Sequence, residues 1–407
     1  MPTLRLVGDM VLNVANANVG SHIAELKEEL FEATSYYSTD YFSARQRFLA
    51  ASAQLGIEHH SLHIQAPSPN SEPLSIDIAV VGAAKPRSAL VLSSGVHGVE
   101  GLFGSAIQLA FLEKIVPNWR PPVEAAVILI HAINPFGFAW QRRFNEDNVD
   151  LNRNFLLAEE QYAGSPPLSD KFRRAMKPRR PRMRFGFWTA RMALLALRHG
   201  IHSFWETLPV GQYDYPDWLF FGGQGPTQSV QTLERFLPTL LDEAQKVAHL
   251  DFHTGLGRWA DCQLLVSESE GIDSCEWWLE HFGANMVKRL KSYTRAYEVR
   301  GGFGPWLRAL FPDCAYRYST AEFGTYSPMR VIGALADELR WHGRLGVERP
   351  AHPSRRRLAN TFVPRSRSWR TKTLHTGLSL VERAADVLWH SNGSGDVAAA
   401  RQEARSI

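Results

Sequence analysis

The sequence predicts an α/β protein, a sheet with helices on both faces. Strand-like apolar runs alternate along the chain with segments of helical periodicity, the pattern of helix-covered sheets. The residues able to do chemistry cluster where those runs end, as they do at the carboxyl edge of such sheets. The composition supports a folded core: 44 % of the 407 residues are hydrophobic and 21 % charged, which excludes a wholly disordered chain. With 30 Gly and 23 Pro, near average usage, a collagen-like or low-complexity polymer is excluded as well.

Taken in order, residues 22–57 place Ile23, Leu26, Leu30, Phe31, Phe42, Phe48 and Leu55 at helical spacing among charges, which predicts one or two surface helices before the core. Leu74, Ile76, Ile78 and Val80 alternate, as in a half-buried strand. Residues 89–95 form an apolar run ending in small residues, a buried strand feeding a loop. Helical periodicity follows over Val99–Val116, then a strand-like run over Ala125–Ile130 and another around Leu250–His253.

Two stretches are strongly basic. Residues 171–198 hold ten Lys and Arg with no acid, and a second stretch carries Arg349, Arg355, Arg356, Arg357, Arg365, Arg367 and Arg370. The formal net charge is only +4 (45 basic against 41 acidic residues), so acids are concentrated elsewhere. Solvated connectors are the first reading and an anionic surface the second; no nucleic-acid motif accompanies either stretch, so no nucleic acid is expected. Three cysteines, Cys262, Cys275 and Cys314, cannot all pair within one chain, which favours a reducing compartment. The most apolar candidates, such as Phe185–Leu197, are interrupted by Arg191 and too short to span a bilayer, and the first residues lack a signal-peptide pattern. A cytoplasmic protein is expected. Residues 391–407 are small and polar, as in a loose tail.

Four motifs carry chemistry. Gly95-Val-His97-Gly-Val-Glu100-Gly101 follows a predicted strand, so its His and Glu can face one metal ion; zinc accepts such ligands at about 2.0–2.2 Å. Taken alone, the pair is equally compatible with a structural role. Leu250-Asp251-Phe252-His253-Thr254-Gly255 offers a further imidazole. A strand-end His is commonly a hydrogen-bonded surface residue, but as a third ligand it would complete the two-His, one-Glu set that leaves a position for water. Asp251 would then share its face and orient it, provided the strand runs on through His253. Asn134-Pro-Phe-Gly137 and the run Arg142 to Phe155 are rich in Asn, Asp and Arg, poor as core and poor as helix. They serve either as a turn with local hydrogen bonds or as a carboxylate-recognising pocket. Glu322, in Ser319-Thr-Ala-Glu-Phe-Gly-Thr-Tyr326, is a single acid among small and apolar residues. It is either a surface strand end or, in a dry setting that raises its pKa, a general base.

The order of these motifs resembles the zinc carboxypeptidase superfamily, which includes carboxypeptidase A and the aspartoacylase and succinylglutamate desuccinylase deacylases. Val149-Asp-Leu-Asn-Arg-Asn-Phe155 is the most specific part; Gly211–Gly223, Asp251–Gly257 and Glu322–Tyr326 are similar to a bacterial branch labelled a domain of unknown function. The resemblance implies a mixed, mainly parallel sheet, with one zinc ion at the carboxyl ends of central strands held by His97, Glu100 and His253. It implies Glu322 as general base and later proton donor, and Arg143 (or its neighbour Arg142) as the group that polarises the scissile carbonyl. Asn152 and Arg153 would grip the free carboxylate of a small peptide or N-acyl amino acid. The implied organisation is a catalytic domain over 20–345 with a basic insertion at about 165–205, an extension over 346–390 anchored by Phe362, Trp369, Leu374, Leu378, Leu380 and Val381, and the tail. Tyr297 receives no role, because its surroundings do not match the tyrosine that closes over substrate in digestive carboxypeptidases. The implied activity is hydrolysis of an amide next to a carboxylate, as in metallocarboxypeptidases. An N-acyl amino acid deacylase is the alternative, and a catalytically silent module on an anionic surface is the rival from another class.

Overall fold

The computed structural model describes residues 32–176, 209–290, 300–345 and 352–390, with a few isolated positions between 194 and 207. Most of the first basic stretch, Tyr297 and the tail at 391–407 lie outside the described residues.

Among the described residues, eight strands form one sheet: β1 (Glu58–Ile64), β2 (Leu74–Gly82), β3 (Ser88–Ser94), β4 (Ala125–His131), β5 (Lys246–Thr254), β6 (Cys262–Ser267), β7 (Val287–Leu290) and β8 (Ala315–Phe323). Their order is β1-β2-β4-β3-β5-β8-β6-β7. The central four, β4-β3-β5-β8, are mutually parallel, and antiparallel pairs at β2·β4 and β6·β8 begin the flanks. The sheet is therefore mixed and mainly parallel, with its strands buried at the centre. Among the described residues the longer α-helices are α1 (Tyr41–Gln54), α2 (Gly101–Ala110), α3 (Ser169–Met176), α4 (Gln228–Leu241), α5 (Ile272–Phe282), α6 (Phe303–Leu310), α7 (Pro328–Leu345), α8 (Pro353–Phe362) and α9 (Arg367–His390).

Two apolar clusters cover the two faces. On one, Ile76, Ile78, Val91 and Ile128 meet Leu233 and Leu237 of α4; on the other, Ala79, Leu90, Leu129 and Leu250 meet Phe48 of α1, Phe103 of α2 and Trp369 of α9. β2 is consequently buried along both sides, not half-buried. The polar residues of its alternation do not face water: Asp77, fully buried, receives Arg45 Nε of α1 at 2.8 Å and Ser61 Oγ at 2.5 Å. An ion pair replaces solvent on that face.

The C-terminal helices pack into the same core. Trp369, Leu374, Leu380 and Val381 are buried there, and Leu378 packs at its edge. Gly377 lets α9 approach closely: a Cβ there would stand 2.5 Å from Ile107 Cδ1 of α2. Some arginines of the second basic stretch are engaged within the fold: Arg355 is 3 % exposed and lies 3.7 Å from Glu338 of α7, and Arg370 lies over the Tyr37 ring, while Arg357 pairs with Asp337 at the surface. Among the described residues no helix is long and apolar enough to cross a membrane.

Candidate metal centre

The parallel register sets the site. β3 and β5 align Ser93 with Asp251, and β5 and β8 align His253 with Glu322, so the second imidazole and the acid stand side by side at the carboxyl edge. β5 continues through Thr254, which places Asp251 and His253 on one face. His97 precedes the single turn Gly98–Glu100 that leads into α2. Glycine is required on this turn, because a Cβ on Gly98 would fall 2.1 Å from the Gly137 carbonyl carbon.

Three ligand groups converge. His97 Nδ1 lies 2.9 Å from Glu100 Oε1 and 3.0 Å from His253 Nδ1, and His253 Nδ1 lies 3.3 Å from Glu100 Oε2. All three residues are buried, and their ligand atoms lie within 4.8 Å of one another. Donors about 2.0–2.1 Å from a tetrahedral zinc are themselves about 3.3 Å apart, so the spacing suits one such ion. The other ring nitrogens strengthen the fit. His253 Nε2 meets Asp251 Oδ2 at 2.5 Å, and His97 Nε2 lies 3.3 Å from Asp150 Oδ1. Behind His253 the carboxylate suits a ring proton on Nε2 with Nδ1 left as a ligand; behind His97, Asp150 offers the same arrangement in competition with a donor from Arg143. Glu100 is fixed by the Thr254 N–H, which donates to Oε2 at 2.8 Å.

Electrostatics follow from this crowding. Burial opposes ionisation of Glu100, but His97 and His253 outweigh it and hold the carboxyl well below the usual range. Burial likewise opposes charge on His253, yet Asp251 and Glu100 raise its pKa well above normal. Glu322 behaves in the opposite way: burial first, then the Glu100 charge, pushes it up to about 7. Its Oε1 accepts the Leu256 N–H at 2.7 Å, which fixes its orientation.

A cavity of about 550 Å³ is lined by His97, Glu100, His253, Glu322, Arg143, Asn152 and Arg153. Arg143 donates from Nε to Asp150 Oδ2 at 2.9 Å and brings Nη2 to 2.6 Å from His97 Nε2. Arg153 donates to the carbonyls of Val210, Asn152 and Pro209, three of its five N–H groups, so its charge is oriented without a direct carboxylate partner among the described residues. Asn152 Oδ1 accepts the Phe303 N–H at 3.1 Å.

Arg142 is not brought to the site. Its fully buried guanidinium donates to Glu338 Oε1 at 2.8 Å and to Asn148 Oδ1 at 2.9 Å, away from the cavity, and this corrects its expected role in binding or polarising substrate. Successive loop residues point to opposite sides here, and the Glu338 charge on α7 captures the first arginine.

Two parts of the site were not singled out from sequence. Asp150 lies inside the Asn- and Arg-rich run, where nothing separated it from its neighbours. Behind Asp251, Ser93 Oγ donates to Asp251 Oδ1 at 2.6 Å and meets His249 Nε2 at 2.7 Å, while Tyr318 O–H donates to Asp251 Oδ2 at 2.8 Å. The spacing of His249, Asp251 and His253 on one strand face was the available signal.

A buried two-His, one-carboxylate centre beside a raised acid, at the carboxyl edge of a mixed α/β sheet, defines the class to which the molecule corresponds. The family model described as "Protein of unknown function (DUF2817)" matches residues 37–376, and the chain belongs to that family. No curated protein matches the sequence. Among solved structures the chain is similar to carboxypeptidase A from Helicoverpa armigera (12 % identity, 83 % of this chain and 80 % of that one, TM-score 0.44). It is also similar to murein-tripeptide amidase MpaA from Escherichia coli O157 (20 %, 70 % and 92 %, TM-score 0.34). A third is a succinylglutamate desuccinylase from Silicibacter sp. TM1040 (14 %, 70 % and 64 %, TM-score 0.35).

Proposed function

We propose that this protein is a zinc-dependent hydrolase that cleaves an amide bond next to a substrate carboxylate. One observation carries the reading: His97, Glu100 and His253, from two distant parts of the chain, converge within 4.8 Å in a buried cavity that Glu322 also lines. Zinc held by these three residues would supply Lewis-acid chemistry, lowering the pKa of water and polarising a carbonyl.

The chain's own groups take the remaining roles. Glu322, with a pKa near 7, accepts the proton of the attacking water and returns it to the leaving nitrogen. When His97 carries its proton on Nε2 toward Asp150, Arg143 Nη2 loses its acceptor there and is free to donate to the carbonyl oxygen as charge develops. Arg153 has two N–H groups beyond those bound to carbonyls, enough for a carboxylate, and Asn152 adds an amide beside it. The cavity volume suits a small peptide or an N-acyl amino acid.

Metal content and turnover test the reading together. Purified protein is expected to hold one zinc per chain, His253→Ala to lose it, and wild type to hydrolyse members of a dipeptide or N-acyl amino acid panel. A protein that takes up no metal would refute the proposal.

A further inference from the structure

The cavity is divided in polarity, and the division follows the two faces of the sheet. Leu151 and Phe155, which bracket Asn152 and Arg153, pack in the apolar cluster of α4, and Phe155 stacks on Phe303 of α6 at 4.5 Å. Among the described residues that line the cavity, the acids and arginines other than Glu100, Arg143 and Glu322 keep to that side. Arg300 donates to the carbonyls of Gln161 and Ala163, close in sequence to Glu160, and a Cβ on Gly304 of α6 would stand 2.8 Å from Glu270 Oε1.

The opposite wall is apolar. α7 contributes Pro328, Val331 and Ile332, and the last two pack with Phe362 of α8 in the cluster of the other face. Leu256, on the loop after β5, also lines the cavity and is 51 % exposed, and Pro328 is exposed as well, so the cavity reaches the surface here. Three residues beyond Leu256, Trp259 is 42 % exposed and meets Tyr326 edge to face, with ring centroids 5.1 Å apart. Both rings are held in place. The Ala260 N–H donates to the Gly324 carbonyl at 2.9 Å, and the Arg330 guanidinium lies 3.6 Å over the Tyr326 ring. An indole kept in water on a pinned loop, continuous with an apolar cavity wall, marks a surface that a ligand covers.

We propose that the acyl half of the substrate is a bulky apolar group that lies along Leu256, Val331 and Ile332 and ends against Trp259. The proposal rests on the hydrolase reading for its direction: the carboxylate held by Arg153 belongs to the amine half of the amide, so the acyl half runs the other way, past the metal ligands to α7. An acetyl group leaves this wall bare, and a succinyl group sets a second carboxylate against it, which costs desolvation without a partner. A longer apolar acyl group gains with each methylene it buries. Two sources carry that chemistry, a hydrophobic residue of a peptide and a fatty acyl chain. If the wall were core packing alone, its substitution would lower stability and leave ligand preference unchanged.

The test titrates the zinc-loaded full chain calorimetrically with the acids that hydrolysis would release: octanoate, N-acetyl-L-leucine, acetate and succinate. Octanoate or N-acetyl-L-leucine is expected to bind at least tenfold more tightly than acetate and succinate, and the tighter of the two names the source. Trp259→Ala, at an exposed position, is expected to cut that ratio at least threefold with zinc content, melting temperature and acetate affinity retained. Val331→Thr, which sets a hydroxyl in the wall, should cut it as well. Binding that does not favour the apolar acids, no detectable binding of them, or a ratio unchanged in both variants would overturn the proposal. Failure of the hydrolase reading looks different: the apolar acids are preferred and the variants lose the preference, but no N-octanoyl, N-acetyl-leucyl or N-acetyl amino acid is cleaved.

Discussion

Replacing Glu322 by Gln isolates the proposed base from everything around it. The amide keeps a carbonyl oxygen for the Leu256 N–H, the 2.7 Å bond that fixes the side chain, so the loop should hold its place. The side chain lies outside the set His97, Glu100 and His253, so metal content should not change. What is removed is proton transfer, ordinarily a factor of about 10²–10⁴, or about 2.7–5.4 kcal/mol of barrier at ~1.36 kcal/mol per decade. The pH profile gives a second readout. A base must be unprotonated to act, so wild-type kcat/KM should fall about tenfold per pH unit below the pKa of Glu322. That pKa is pushed up to about 7 by burial and by Glu100. A bound zinc cation favours the carboxylate and moves the acid limb below 7, and in the variant the limb should vanish. Steady-state kinetics on an accepted substrate, with metal analysis of the same samples, measures both. A variant that retains zinc, wild-type turnover and the acid limb would refute the assignment.

Other perturbations follow from the same geometry. Asp251→Asn removes the carboxylate 2.5 Å from His253 Nε2 and should weaken zinc binding about 10–100-fold in a chelator competition, with a smaller effect on the fold. Arg143→Ala should lower kcat by about 10²–10³ with metal retained, because one donor to the developing oxyanion is lost. Glu338→Ala leaves buried Arg142 and Arg355 without their acid and should cost about 3–5 kcal/mol in denaturant unfolding, making this the most destabilising of the substitutions considered.

The central strands were readable because burial on both faces forces continuous apolar runs, as at 89–94 and 125–130. Other elements were not. β8 reads Ala-Tyr-Arg-Tyr-Ser-Thr-Ala-Glu-Phe, with polar residues directed into the cavity, so neither an apolar run nor a clean alternation marks it. β6 and β7 are short flanking strands whose pairing is decided by β8 and by each other. In the site, the motif residues stood out because Asn, Arg and His are poor core residues and Asn is a poor helix former as well. The choice between Arg142 and Arg143 had no local signal, since it depends on Glu338, almost two hundred residues further along the chain.

The C-terminal helices bear on the chemistry more directly than an extension laid over a finished domain would. Glu322 is followed within two residues by Gly324, whose carbonyl accepts the Trp369 Nε1–H of α9 at 2.9 Å and whose N–H donates to Asp261 at 2.9 Å. Asp261 in turn holds Lys372 of α9 at 2.9 Å. Gly324 also lies so close to the loop after β5 that a Cβ there would stand 1.8 Å from the Arg258 carbonyl oxygen. That loop carries Leu256, the donor to Glu322, and Gly255, with φ +134° and Phe362 of α8 packed against it. The two loops that orient the acid are thus clamped by α8 and α9, whose Phe362 and Trp369 are almost fully buried and help exclude water from the site. Since dryness is the first cause of the raised pKa of Glu322, residues 353–390 belong physically to the unit that raises it.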